Sequence, residues 1–210
     1  RMIDEMPQAG VGKTIMTTEP KFVPNTAATI TFDDGFNVNV RLVDCVGYVI
    51  PEAKGYKDED GVRMVRTPWS EEAIPFNEAA KTGTQKVIQD HSTIGIVVTT
   101  DGSISELSRE AYIEAEAEVI DELKAIGKPF IVIVNSKDVH STSCRNIVTK
   151  LKEKYEVPVL PVSVQHMSEQ DIHNILREAL YEFPISEINI NMPKWIAVLN
   201  EDHWLKKSFH

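Results

Sequence analysis

The chain has 210 residues, 42% hydrophobic and 26% charged, enough apolar material for one good-sized core and ordinary for a soluble globular protein. A net charge of −10 with no Lys/Arg run excludes the basic footprint that nucleic acid or an anionic membrane surface requires. Two cysteines, Cys45 and Cys144, are too few for a disulfide framework and fit a reducing cytosol. No signal peptide is visible, and no apolar run approaches the roughly 20 residues of a membrane span.

Arg1-Met2-Ile3 is not an evident natural start, and 204–210 reads as a cut, so a fragment of a longer protein is expected. Residues 1–26 are interrupted by Pro7, Pro20 and Pro24 and read as irregular. Residues 27–32 alternate Ile30 and Phe32 with Thr29 and Thr31, Asp33-Asp34-Gly35 signals a turn, and 38–43 follows as a second strand. An antiparallel hairpin is predicted. Residues 48–76, with Pro51, Gly55, Gly61, Pro68 and Pro75, read as a long irregular loop, either functional or a family-specific insertion.

Three short β-branched runs then alternate with amphipathic helices. The strands are 94–98, 130–134 and 158–164; the helices are 106–126, 143–155 and 169–183. The first helix aligns Ala111, Ala115, Val119, Ile120 and Leu123 on one face, and the last aligns Ile172, Ile175, Leu176, Ala179 and Leu180. Strand–helix alternation predicts an α/β fold with a parallel sheet covered on both faces. That makes five strands, with a sixth candidate at 188–190. The expected organisation is a nucleotide-hydrolase domain over 1–184, then a connector and the start of a following domain over 185–210. Trp195 and Trp204 are read as anchors of that following domain.

The most informative run is Val40-Arg41-Leu42-Val43-Asp44-Cys45-Val46-Gly47. A buried strand would end on a carboxylate, with Cys45 buried behind it and a glycine three residues further on. In nucleotide hydrolases an Asp at this point holds Mg²⁺, and the glycine amide meets the terminal phosphate because no Cβ obstructs it. Strand C-termini are where open α/β sheets bind ligands. Asp-x-x-Gly also marks ordinary strand-ending turns; the preceding hairpin is what favours the functional reading.

Gly12-Lys13-Thr14 invites a phosphate-loop reading, but Pro7 stands where the first glycine belongs and Pro20 stops any following helix. The preferred reading is a switch segment in which Thr17 and Thr18 sense Mg²⁺ and the terminal phosphate; two ordinary surface threonines remain the alternative. Asn135-Ser136-Lys137-Asp138 ends the run 130–134. It keeps the Asn and Asp of the guanine-reading Asn-Lys-x-Asp pattern, with Ser136 in place of the Lys and the cation displaced to Lys137. Ser163, at the next strand end, is a candidate base contact or a plain strand end. Tyr48 stands where many GTPases carry a water-orienting Gln, so slow hydrolysis or another water-positioning group is expected. The six histidines and two cysteines show no metal-ligand spacing. Glu114, Glu116, Glu118, Asp121 and Glu122 read as a solvated helix face.

The run from Gly12 to Asn25 closely resembles the stage IV sporulation protein A family of spore-forming Firmicutes. Support comes from 40–48, from Arg177-Glu178-Ala179-Leu180-Tyr181-Glu182-Phe183-Pro184, and from His203-Trp204-Leu205. The resemblance covers essentially the whole chain. It implies a P-loop NTPase-like, translation-factor-related three-layer sandwich with a mostly parallel sheet and one antiparallel strand, the first strand and P-loop lying upstream of Arg1. It implies an ATPase using ATP and Mg²⁺, with Asp44 as the Walker B carboxylate and metal contact, Thr17 and Thr18 as sensor threonines, and Thr18 also at the metal. Gly47, Asn135, Asp138 and Ser163 are the expected nucleotide contacts. It further implies self-assembly into the basement layer of the spore coat, in the mother-cell cytoplasm at the forespore surface. The implied partners are copies of itself, a small amphipathic membrane-anchoring peptide and other coat proteins. A regulatory GTPase, or a structural scaffold with a vestigial site favoured by Tyr48 and the altered base motif, are the alternatives.

Overall fold

The computed structural model describes residues 21–45, 47–50, 57–58, 61–62, 64–67, 70–184 and 203. Its centre is a parallel three-stranded sheet in the order β7 (Gly95–Thr100), β8 (Phe130–Asn135), β9 (Val159–Val162). The strands run in register from Gly95 opposite Phe130 to Thr100 opposite Asn135, and from Val132 opposite Val159 to Asn135 opposite Val162. All three therefore end at one edge of the sheet.

β8 shows why the sheet forms. Phe130, Val132 and Val134 point to one face, with Ile120 and Leu123 of α2 (Ile113–Ile126) and Val148, Leu151 and Tyr155 of α3 (Thr142–Tyr155). Ile131 and Ile133 point to the other, against Ile175 and Ala179 of α4 (Glu169–Tyr181). The period-2 alternation of an all-apolar strand thus feeds two cores at once. Helix ends are set locally. Ser141 caps α3 by accepting the Cys144 amide at 3.2 Å. Ser168 and Asp171 close a reciprocal capping box on α4. Gly127 takes the left-handed conformation (φ 72°) that stops α2.

The hairpin pairs β1 (Lys21–Thr31) with β2 (Asn37–Asp44), antiparallel, as the alternation predicts. Two details differ from expectation. The antiparallel strand is not hydrogen-bonded into the parallel sheet; β1 and β2 form a sheet of their own. Consequently β2 is not a buried strand: its residues alternate only between exposed and half-buried, and Cys45 is exposed instead of lying behind Asp44. The hairpin is seated through its tip, where buried Phe32 lies 5.5 Å from the His173 ring and 5.8 Å from the Arg177 guanidinium, both on α4.

Residues 48–76 hold more structure than a bare loop. β3 (Lys57–Asp58) pairs with β4 (Gly61–Val62), and β5 (Met64–Thr67) with β6 (Ser70–Pro75). A helix absent from the sequence reading follows: α1 (Phe76–Lys86), extended by a π turn at Val87–His91. Its buried column is Ala80, Thr84 and Ile88, spaced i, i+4, i+8; Thr84 in the middle position hid the period. The predicted helix over 106–126 starts later, as a 3-10 turn at Arg109–Tyr112 leading into α2.

Two further expectations change. The acidic face of α2 is not uniformly solvated. Glu116, with its side chain 2% exposed, pairs with Arg109 at 2.7 Å, and Arg109 also reaches the Thr99 hydroxyl at 3.4 Å. A buried carboxylate needs such a partner. The sheet is also not covered evenly: α4 packs on Ile131 and Ile133 of β8 and Val162 of β9, while on the same face of β7 Val98 is 61% exposed and Ile96 is exposed too. The 188–190 strand and the two tryptophans lie outside the described residues. Among the described residues, no helix is long and apolar enough to cross a membrane.

The two kinds of apolar side chain should behave differently in urea unfolding. Leu123→Ala, at a fully packed position, is expected to cost roughly 2–5 kcal/mol. Val98→Thr, on the bare strip, is expected to shift stability by less than about 0.5 kcal/mol.

Candidate functional site

Polar groups lie in two places: just past the end of β2, and where β7, β8 and β9 end. β2 ends on exposed Asp44, and the loop after it carries Gly47 with φ 78°, a left-handed conformation that strains any side-chain-bearing residue. The Gly47 amide donates to the Thr84 hydroxyl on α1 at 3.0 Å. The Tyr48 hydroxyl donates to the Glu122 carboxylate on α2, which also faces Lys81 of α1 at 3.0 Å; Lys81 reaches Glu118 as well. Burial pushes the Glu122 carboxyl above the usual carboxylate range. The loop that carries Asp44 is therefore fastened to two helices, and both Gly47 and Tyr48 are engaged by protein groups.

The second group lies at the ends of β7, β8 and β9. The Asn135 side-chain oxygen accepts the Val164 amide at 3.1 Å, which joins the end of β8 to the segment holding half-buried Ser163. Asp101, just past β7, accepts from the Ser103 amide (3.0 Å), the Ser103 hydroxyl (2.6 Å) and the Ser136 hydroxyl (2.6 Å). Burial alone would raise the Asp101 carboxyl. The Ser103 and Ser136 hydroxyls and the Ser103 amide outweigh it and hold the group below its ordinary value. Gly102 (φ 88°) admits this turn, since a Cβ there would stand 2.8 Å from the Arg109 nitrogen. Asp138 is exposed, its amide donating to Ser136 at 3.1 Å and its carboxylate accepting the His140 amide at 2.9 Å.

Asn135, Asp138 and Ser163 are thus brought into one loop cluster, as the motif positions suggested. Asp44 and Gly47 stand on the separate loop anchored to α1 and α2. Thr17 and Thr18 lie outside the described residues. Sequence reasoning missed Asp101, Ser103, Thr84 and Glu122. Asp101 had a usable signal: a carboxylate just past an apolar run with a glycine directly after it, a tighter spacing than the Asp-x-x-Gly that singled out Asp44.

Residues 1–184 match the family model described as stage IV sporulation protein A, ATPase domain. The chain belongs to this family. It is 58% identical over 209 residues to stage IV sporulation protein A of Bacillus subtilis (strain 168) and 57% identical over 209 residues to that of Bacillus anthracis, covering 100% of this chain in both. The Clostridioides difficile (strain 630) protein of the same name is 50% identical over 208 residues, or 99% of the chain. In each case the chain spans 42% of the relative's length. No solved structure was found to match it.

Membership in an ATPase-domain family gives the strand-end cluster a chemical context. Magnesium keeps several waters and is usually bound through one or two carboxylates plus substrate phosphates. Asp44, exposed at a strand end, fits that donor chemistry. Among the described residues, no group of three or more His, Cys, Asp or Glu side chains is arranged to hold a metal alone.

Two measurements follow from this geometry. Thr84→Val removes the acceptor for the Gly47 amide, so hydrogen exchange at that amide should quicken by about tenfold, the loss of one hydrogen bond. The stability that Asp101 contributes is present above its unfolded-state pKa and is lost as pH falls through its depressed folded value. Asp101→Asn should therefore flatten the acid limb of stability against pH, read by thermal unfolding between neutral and acidic pH.

Proposed function

We propose that this chain is the greater part of an ATP-hydrolysing domain, and that its parent protein uses ATP turnover to assemble on itself as the basement layer of the bacterial spore coat. The observation that carries the reading is the match of residues 1–184 to an ATPase-domain family whose relatives are named for stage IV of sporulation. The strand-end polar groups support it, since ligands of α/β sheets bind at that edge.

In this reading the fold is a P-loop NTPase-like sandwich. Its phosphate-cradling loop belongs to the part of the parent protein outside this chain. Asp44 would hold Mg²⁺, and Thr18 would contribute a hydroxyl to it. Thr17 and Thr18 sense the terminal phosphate, and the Gly47 amide turns to that phosphate. Asn135, Asp138 and Ser163 approach the base. Bound magnesium supplies charge neutralisation of the phosphates. Gly47 leaves Thr84 before it meets phosphate, and the Tyr48–Glu122 contact keeps an aromatic side chain where a water-orienting amide would otherwise serve. Slow turnover, suited to assembly and not to rapid cycling, is the consequence. The proposed partners are other copies of the protein, a small amphipathic membrane-anchoring peptide and other coat proteins. The proposed place is the mother-cell cytoplasm at the forespore surface.

A regulatory GTPase is the second reading, favoured by the Asn135–Val164 bond and the exposed Asp138 carboxylate at the end of β8. Turnover by the full-length protein separates the two. ATP is expected to be hydrolysed in preference to GTP, and Asp44→Asn to lower turnover by roughly 100-fold, the size of effect seen when a key electrostatic group of a site is removed. Equal or faster GTP turnover favours the regulatory GTPase. The 210-residue chain alone is expected to show no measurable ATPase activity; turnover by it that vanishes in Asp44→Asn contradicts this.

A further inference from the structure

The turn at 136–138 is held in an unusual way. Asp101 Oδ1 accepts the Ser103 hydroxyl at 2.6 Å, and that hydroxyl accepts the Lys137 amide at 3.0 Å. Asp101 Oδ2 accepts the Ser136 hydroxyl at 2.6 Å, and that hydroxyl accepts the Asp138 amide at 3.1 Å. Two consecutive amides are therefore fixed by two hydroxyls, both anchored on one carboxylate that belongs to a different strand. Ser136 is 0% exposed.

The proton arrangement is determined. Each serine has a single hydroxyl proton, and each hydroxyl oxygen already receives an amide N–H, so both protons point at Asp101. Only an ionised Asp101 accepts both without losing an acceptor site. Hydrogen bonds to a charged acceptor are the stronger kind. Asp101 thus locks the backbone that presents the exposed side chains of Lys137 and Asp138 at the strand-end edge.

We propose that Asp101 is the positioning residue of the nucleobase subsite, acting through Ser103 and Ser136 to fix the carboxylate of Asp138 against the base of a purine nucleoside triphosphate. The proposal rests on the nucleotide-hydrolase reading above. With a small buried hydroxyl at 136 and the lysine displaced to 137, no long side chain from position 136 braces the base. Orientation of the base then depends on how rigidly the turn is held, and the turn is held by Asp101. A base contact made by one carboxylate is sensitive to displacements well under 1 Å, because hydrogen bonds weaken steeply with geometry.

The test uses full-length protein, with ATP as substrate and inorganic tripolyphosphate, which has no base, as competitor. Asp101→Asn replaces an acceptor oxygen by an amide donor that faces a hydroxyl proton. Its KM for ATP is expected to rise about tenfold, the effect of losing one hydrogen bond to a charged group, with kcat within about twofold. The inhibition constant of tripolyphosphate should stay unchanged. Ser103→Ala, which cuts one of the two routes at a half-buried position, should raise KM for ATP about threefold with the same tripolyphosphate signature, and keeps the test informative if Asp101→Asn folds poorly. Parallel weakening of ATP and tripolyphosphate in either variant overturns the proposal in favour of a purely structural network, and unchanged ATP binding overturns it outright. Wild-type protein that binds tripolyphosphate but not ATP defeats the base subsite alone; wild-type protein that binds neither defeats the nucleotide-hydrolase reading beneath it.

Discussion

The in-register parallel pairing of β8 with β7 and β9 is the constraint on which the rest depends. Because Thr100, Asn135 and Val162 come level across the sheet, the residues just beyond them arrive at one edge. Asp101 reaches Ser136, and Asn135 reaches Val164, only on that condition. The register is itself imposed by burial: a slip of one residue in β8 would turn Val132 and Val134 from the α2 and α3 core to the α4 face and exchange them with Ile131 and Ile133. Hydrophobic packing in the middle of the sheet thus fixes the polar geometry at its end.

The parallel sheet and its three covering helices were legible because each apolar run is short, β-branched and followed by a strong 3.6 period. The hairpin was legible from alternation around Asp33-Asp34-Gly35. What escaped detection escaped for physical reasons. α1 places a threonine in its buried column, and Thr84 serves there as a hydrogen-bond acceptor for a distant loop. Glu116 looks like a surface acid until its partner Arg109, seven residues earlier, is seen folded back on it. The expectation that β2 is buried came from its apolar content, yet Leu42 is 55% exposed, since a two-stranded ribbon covers little of its own surface.

The candidate site was half legible. Motif spacing pointed to Asp44, Gly47, Asn135, Asp138 and Ser163, which the fold places at or just past strand ends. It could not find the groups that hold them. Ser136 looked like a damaged motif position, whereas in the fold it is a buried link with a donor and an acceptor both in use. Tyr48, which stands where many GTPases carry a glutamine, is also one arm of a clamp onto Glu122. Side-chain networks that join distant segments leave no periodicity behind, so sequence pattern shows the presented residue and hides its support.

The hairpin has a mechanical meaning. Its tip is pinned by Phe32 to His173 and Arg177 of α4, and its other end leads through Asp44 to Gly47 on Thr84 of α1. Between them runs a ribbon whose eight-residue strand β2 spans about 26 Å at the usual rise per residue. A ribbon with contacts at both ends thus joins the Asp44 loop to α4, and its regular pairing is interrupted between Val23 and Ala28.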